Sequence, residues 1–327
     1  MKKRMYKIMA LAMTAAMVVP MAAQTTAFAA DDKEITYWNI AVESPDKDIV
    51  TAAVDKFNKE TECPDMYSSW SGGPMYEYID SGFAQPIDDL LDQSDIKDKL
   101  LDAAIEQGSY NGHVYAIPYL NVSLAGIFYN KDMFKQYGLE EPKTLADLEN
   151  ICATLKENGI TPFALANASK WTGSMYFMSL AARYGGLEPF QNAVAGTGKF
   201  TDDCFIKAGE KIQEWVNNGY FPDGVNSLSE DDGQAKQLMY QETAGMLLCG
   251  SWYTGTFQTD SEEFYQKIGW FPFPAIDDSD ADPTIQIGTV GDQFISFNCE
   301  GDKLAAAFEC AADHLSDEVA TTSKTLL

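Results

Sequence analysis

The sequence predicts an α/β layer fold, on three observations. Beyond its leader the chain opens with a strand-like alternation, Ile35-Thr36-Tyr37-Trp38-Asn39-Ile40, and continues into residues 49–57, whose apolar spacing fits a helix. A strand followed by a helix is how a layered α/β protein begins. Two later apolar runs, residues 125–130 and 244–249, have the length and composition of buried strands. Proline-bearing stretches at Tyr115-Ala116-Ile117-Pro118 and Phe271-Pro272-Phe273-Pro274 suit passages of chain between lobes.

Taken in order, Pro64-Asp65-Met66-Tyr67-Ser68-Ser69-Trp70 reads as a short strand entering a Ser71-Gly72-Gly73-Pro74 turn. Its glycines permit unusual backbone angles, useful beside a ligand and equally at home in an ordinary turn. Residues 86–91 begin a helix, and Asn111-Gly112 turns a hairpin. The strand at 125–130 feeds a helix starting Lys131-Asp132-Met133-Phe134. Thr144 and Asp147 have capping-box spacing, and the helix they open stops at Asn158-Gly159. Residues 171–184 are helix-compatible and end at Gly185-Gly186. In residues 207–217 the spacing of Ile212, Trp215 and Val216 predicts a helix with Trp215 turned into the core. The strand at 244–249 delivers Gly250-Ser251-Trp252-Tyr253. Residues 268–274 carry too many prolines for a central strand, which predicts an extended connector and a second passage between lobes.

At 327 residues and 46% hydrophobic composition the chain can bury a substantial core in one large or two ordinary domains. Its formal net charge is −26, with Lys2, Lys3, Arg4 and Lys7 confined to a start that holds no acid. A field of that sign repels phosphate backbones and anionic lipid, so no nucleic-acid partner is expected. The basic start, the apolar stretch to Ala23 and the Ala27-Phe28-Ala29 cleavage pattern read as a signal peptide over residues 1–29. No cysteine stands at the cleavage site, so no lipid anchor is expected there. The six cysteines, with no C-x-x-C pair, predict mostly buried free thiols. With only His113 and His314 available, no metal site of the zinc type is expected.

Trp38, Trp70, Trp171 and Trp252 all fall at or just beyond element ends. Flat indoles match the C–H faces of sugar rings, and Asn39, Glu43, Ser71, Asn121 and Asp292 carry groups that can bond hydroxyls. This is the mixed lining of a small-molecule cleft, although core packing accounts equally well for any one of these tryptophans. Paired carboxylates of a glycoside hydrolase must flank the bond at about 5–9.5 Å, a separation that 49 acids in a sequence cannot establish. G-x-S-x-G, Walker and H-E-x-x-H motifs are absent. Asp278-Ser279-Asp280-Ala281-Asp282 imitates the start of a calcium loop, but Pro283 and Thr289 stand where glycine and the bidentate acid belong.

In their order and spacing, several of these segments resemble the extracellular solute-binding proteins, family 1, of bacterial ABC importers, the group that includes maltose-binding proteins. They are Ile35-Thr36-Tyr37-Trp38, Pro64-Asp65-Met66-Tyr67, Tyr115-Ala116-Ile117-Pro118, Phe128-Tyr129-Asn130-Lys131-Asp132, Gly159-Ile160-Thr161-Pro162-Phe163, Gly245-Met246 with Gly250-Ser251-Trp252, and Phe271-Pro272-Phe273-Pro274. The resemblance implies a two-lobe periplasmic-binding-protein-like (type II) fold with hinge crossings. Its expected division is lobe 1 over residues 30–118 plus 273–315, lobe 2 over 119–272, and a truncated C-terminal segment over 316–327. It implies a noncatalytic, exported monomer without a cofactor, at the periplasm or cell surface, that closes on a sugar or oligosaccharide and docks to the permease subunits of an ABC transporter. By position it assigns ligand contacts to Trp38, Asn39, Glu43, Trp70, Ser71, Asn121, Trp171, Trp252 and Asp292. Against the family pattern, a strand and helix are expected to be missing between Glu62 and Cys63, and further helices after residue 315. A secreted glycoside hydrolase, or a receptor for a peptide or other polar solute, stays open on the residues alone.

Overall fold

The computed structural model describes residues 37–38, 66–118, 122–290, 294–313 and 315. The first sheet begins with β1 (Tyr37–Trp38), parallel to β2 (Met66–Ser69). Helices α1 (Gly73–Asp80), α2 (Asp88–Asp92) and α3 (Asp102–Gln107) follow. A hairpin of β3 (Ser109–Tyr110) and β4 (His113–Val114) precedes β5 (Ala116–Pro118). The hairpin turns where expected, with Asn111 at φ 50° and Gly112 at φ 85°, the paired left-handed angles of a type I′ turn.

The second sheet is centred on β6 (Val122–Asn130). Asn130 ends it and caps α4 (Lys131–Tyr137), its Oδ1 accepting from the N–H of Asp132 at 3.0 Å and Met133 at 3.1 Å. Helix α5 (Leu145–Glu157) opens on the expected reciprocal cap: Thr144 Oγ1 accepts from Asp147 N and Asp147 Oδ2 from Thr144 N. Next come β7 (Thr161–Phe163), α6 (Trp171–Gly185), α7 (Glu188–Val194), α8 (Asp203–Asn217) and α9 (Gln234–Tyr240). Then follow β8 (Ala244–Gly250), α10 (Tyr253–Asp260), α11 (Glu262–Lys267), β9 (Ile268–Phe271) and β10 (Gly288–Val290). The chain returns to the first sheet as β11 (Phe294–Phe297) and closes with α12 (Asp302–Asp313).

Strand order is β1-β2-β11-β5 in the first sheet and β10-β6-β8-β7 in the second, with β9 beside β10 on the same edge of β6. Each sheet has its own core. In the first, Met66, Ile117, Ile295 and Phe297 pack with Leu91, Phe308 and Cys310. In the second, β6 and β8 are covered on both faces, which is why their sequences run apolar without alternation. Trp215 is fully buried as expected, stacked 5.5 Å from Phe163, with its Nε1 donating to Glu149 at 2.8 Å. Cys152 and Cys204 are buried free thiols, and Cys249, Cys299 and Cys310 are buried as well.

Two expectations are corrected. Residues 268–271 form strand β9 rather than a connector: an edge position needs ladder bonds on one side only, and both prolines fall after the strand. The change of lobe expected at residue 273 does not occur there. Phe273, Ile276 and Ile287 pack on the second core, and β10 pairs with β6, so the chain leaves the second sheet only after Val290. The buried Arg183 on α6 holds this stretch, donating to the carbonyls of Phe273 (2.7 Å), Pro274 (3.0 Å) and Ile285. The expected gap between Glu62 and Cys63 and the segment 316–327 lie outside the described residues.

Candidate functional site between the sheets

Strand register places the site. The chain passes from Pro118 at the end of β5 to Val122 at the start of β6, and from Val290 at the end of β10 to Phe294 at the start of β11. Phe294 pairs with Pro118, and Val290 with Val122. Both passages therefore leave each sheet at one common end. Ser69 at the end of β2 lies opposite Phe294, so Trp70 and Ser71 emerge there from the first sheet. Gly250 at the end of β8 lies opposite Ala125, so Ser251 and Trp252 emerge at the matching end of the second. β7 runs parallel to β8, and the chain beyond it leads to Trp171 at the start of α6.

On the first lobe Trp70 is 52% exposed, and Ser71 Oγ donates to Gln107 Oε1, the last residue of α3, at 3.3 Å. On the second lobe Trp171 and Trp252 touch, with ring centroids 6.0 Å apart and planes at 52°. The Trp252 ring lies against Gly250, where any Cβ would collide with it, so the glycine lets the indole rest on the β8 backbone. Ser251 Oγ accepts from Leu124 N at 3.3 Å, and Tyr253 donates to the buried Glu230.

Trp171 is fixed from behind. Asn167 Oδ1 accepts from Gly173 N at 3.0 Å, and Thr172 Oγ1 donates to Ala166 O at 2.6 Å, tying the first turn of α6 to the segment after β7. Gly173 has no room for a Cβ against the Asn167 amide. Asn167 Nδ2 donates in turn to Asn226 Oδ1 at 2.7 Å. Burial pushes the Tyr67 phenol on β2 up to about 12, so it stays protonated at neutral pH.

Of the residues expected in the site, Trp70 and Ser71 come to the common end of the first sheet and Trp171 and Trp252 to that of the second. β1 carries Trp38 within the first sheet, with its side chain outside the description; Asn39, Glu43, Asn121 and Asp292 are outside the described residues. Gln107, Asn167, Lys170, Asn226 and Ser251 were not expected there. Ser251 stood beside Trp252 in a loop already read as aromatic. The amides left no comparable signal, because their proximity depends on how α6 docks.

Fold and site together define a two-lobe α/β protein whose joined sheet ends carry indoles and polar groups. The chain belongs to the bacterial extracellular solute-binding proteins, whose family description matches residues 22–312. An uncharacterized ABC transporter extracellular-binding protein of Pyrococcus horikoshii is 32% identical over 215 residues, 65% of this chain and 47% of that protein. The multiple sugar-binding protein of Streptococcus mutans is 31% identical over 178 residues, 50% of this chain and 39% of that one. The chain thus spans about half the length of the curated relatives it matches. A solved structure from work on xylan utilization by Caldanaerobius polysaccharolyticus superposes with a TM-score of 0.78 at 27% identity, covering 87% of this chain and 78% of that one. No described helix is long and apolar enough to cross a membrane.

Proposed function

We propose that this protein is an exported receptor that captures a sugar or oligosaccharide between its lobes, releases it chemically unchanged, and delivers it to an ABC permease. The observation that carries the reading is the Trp171–Trp252 pair at the common sheet end, with Trp70 on the other lobe at the same end. Indole faces suit the apolar faces of pyranose rings, and hydroxyl and amide side chains near them suit ring hydroxyls. The names of the Streptococcus mutans relative and of a chitin oligosaccharide binding protein, similar in fold at a TM-score of 0.71 and 22% identity, support a carbohydrate guest. Trp38, Asn39, Glu43, Asn121 and Asp292 complete the proposed contacts, and the receptor acts as a monomer without metal or cofactor.

Isothermal titration against a glycan panel tests this. The expected result is saturable binding of at least one glycan, weakened about tenfold by Trp171→Ala, since an aromatic stack contributes about 0.5–1.5 kcal/mol beyond its buried area. Chromatography of the sugar after long incubation should show it intact. Product release would instead support a hydrolase, and saturation by a peptide alone would reject the carbohydrate.

A further inference from the structure

Lys170 precedes the Trp171 indole, and its ammonium is held by two neutral oxygens, Asn167 O at 3.1 Å and Asn226 Oδ1 at 3.3 Å. In this acidic chain several other lysines sit on carboxylates: Lys97 on Asp92, Lys211 on Glu149 and Glu214, Lys236 on Asp260, Lys267 on Glu263. Asp231 is the acid in this hydrogen-bond cluster, and it accepts from the neighbouring Ser169 Oγ at 3.1 Å. The Asn226 amide that receives Lys170 is itself fixed by Asn167, which also ties down Gly173 in α6. The ammonium is therefore anchored on the residue that precedes Trp171, with its charge unneutralised by those two contacts and one N–H left over from them.

We infer that Lys170 is a specificity-determining residue for a carboxylate on the guest, so that the preferred ligands are uronate-bearing oligosaccharides rather than neutral ones. The inference rests on the carbohydrate reading above. An ammonium facing a carboxylate adds the attraction of opposite charges to the hydrogen bond, which a neutral hydroxyl does not offer. The net charge of −26 opposes an anion at long range, but salt screens that field beyond about 8 Å at physiological ionic strength, and a pair in contact lies inside that distance and is weakened only in part.

The test is titration with matched neutral and glucuronate-bearing xylo-oligosaccharides, and neutral and galacturonate-bearing galacto-oligosaccharides, on the parent chain, Lys170→Met and Lys170→Gly. The expected result is that one acidic member binds about tenfold tighter than its neutral match, a preference that shrinks with added salt, and that both substitutions bring the ratio close to one. Lys170 holds φ +67°, so glycine relieves its backbone, and the glycine variant should melt no lower than the parent while losing the preference. A purely structural Lys170 would not separate those two readouts. Equal or tighter binding of the neutral member, or equal losses for both members, overturns the inference and leaves the carbohydrate reading standing. Binding of none of the four overturns the inference, while the wider glycan panel decides the carbohydrate reading separately.

Discussion

At the scale of single residues, Asp147 is a carboxylate whose work is visible in its pH dependence. The backbone N–H groups of Thr144 and Lys143 bond it at the start of α5, which holds its carboxyl below the usual range. A depressed folded value means the stabilisation is complete above the unfolded value of about 3.9 and disappears as pH falls through the folded one. Asp147→Asn should therefore melt below the parent at neutral pH, and the two melting curves should converge as pH falls below the unfolded carboxylate value; parallel acid limbs would refute the assignment. The thiols give a second expectation. Burial pushes the Cys152 thiol well above its usual range, and Cys204, Cys249, Cys299 and Cys310 are buried as well. Ellman's reagent with mass mapping should leave Cys152 and Cys204 unmodified in native protein and label both in denaturant. Labelling of either of them at native rates would show that its packing is open.

At the scale of elements, what was legible in sequence is what local chemistry decides. The Thr144–Asp147 cap, the Asn111-Gly112 turn, the buried runs of β6 and β8 and the inward Trp215 each follow from a few adjacent residues. What was not legible depends on distant chain. β9 is a strand because β6 offers it an edge, and residues 273–287 stay with the second core because Arg183, some ninety residues earlier, takes their carbonyls. That dependence is testable. Arg183→Leu leaves buried carbonyls of Phe273, Pro274 and Ile285 without their donor, at about 1–3 kcal/mol for each one left unsatisfied. At about 2–4 °C per kcal/mol for a domain of 150–250 residues, a loss of about 3 kcal/mol, the low end for three carbonyls, lowers the melting temperature by roughly 6–12 °C. Exchange-mass spectrometry should place the loosening in residues 272–287 and the end of α6. An unchanged melting point would mean that the loop holds without its arginine. The site shows the same division: tryptophans at strand ends could be read, whereas Asn167 and Asn226 meet only because α6 and the segment after α8 fold back on β7.

At the scale of the whole molecule, the proposed capture of a guest between the lobes makes binding and lobe geometry a single equilibrium, because both passages leave each sheet at one end. A guest resting on Trp171 and Trp252 alone has no preference among lobe arrangements; a guest that also touches Trp70 favours the arrangements that bring the two ends together. A ligand shifts such an equilibrium only by its differential affinity for the two states. Trp70 is exposed and separate from both cores, so its removal should subtract that differential affinity without disturbing the fold. Small-angle scattering of the parent at saturating glycan should show a smaller radius of gyration than the free protein. Trp70→Ala should bind about tenfold more weakly, losing one stacking contact, and should show little or no compaction even when saturated. Trp171→Ala, saturated to the same degree, should still compact if the remaining indole and Trp70 bridge the guest. Equal compaction of the Trp70 variant would mean that the first-lobe indole does not couple binding to closure, and no compaction of the parent would mean that the guest is held by one lobe alone.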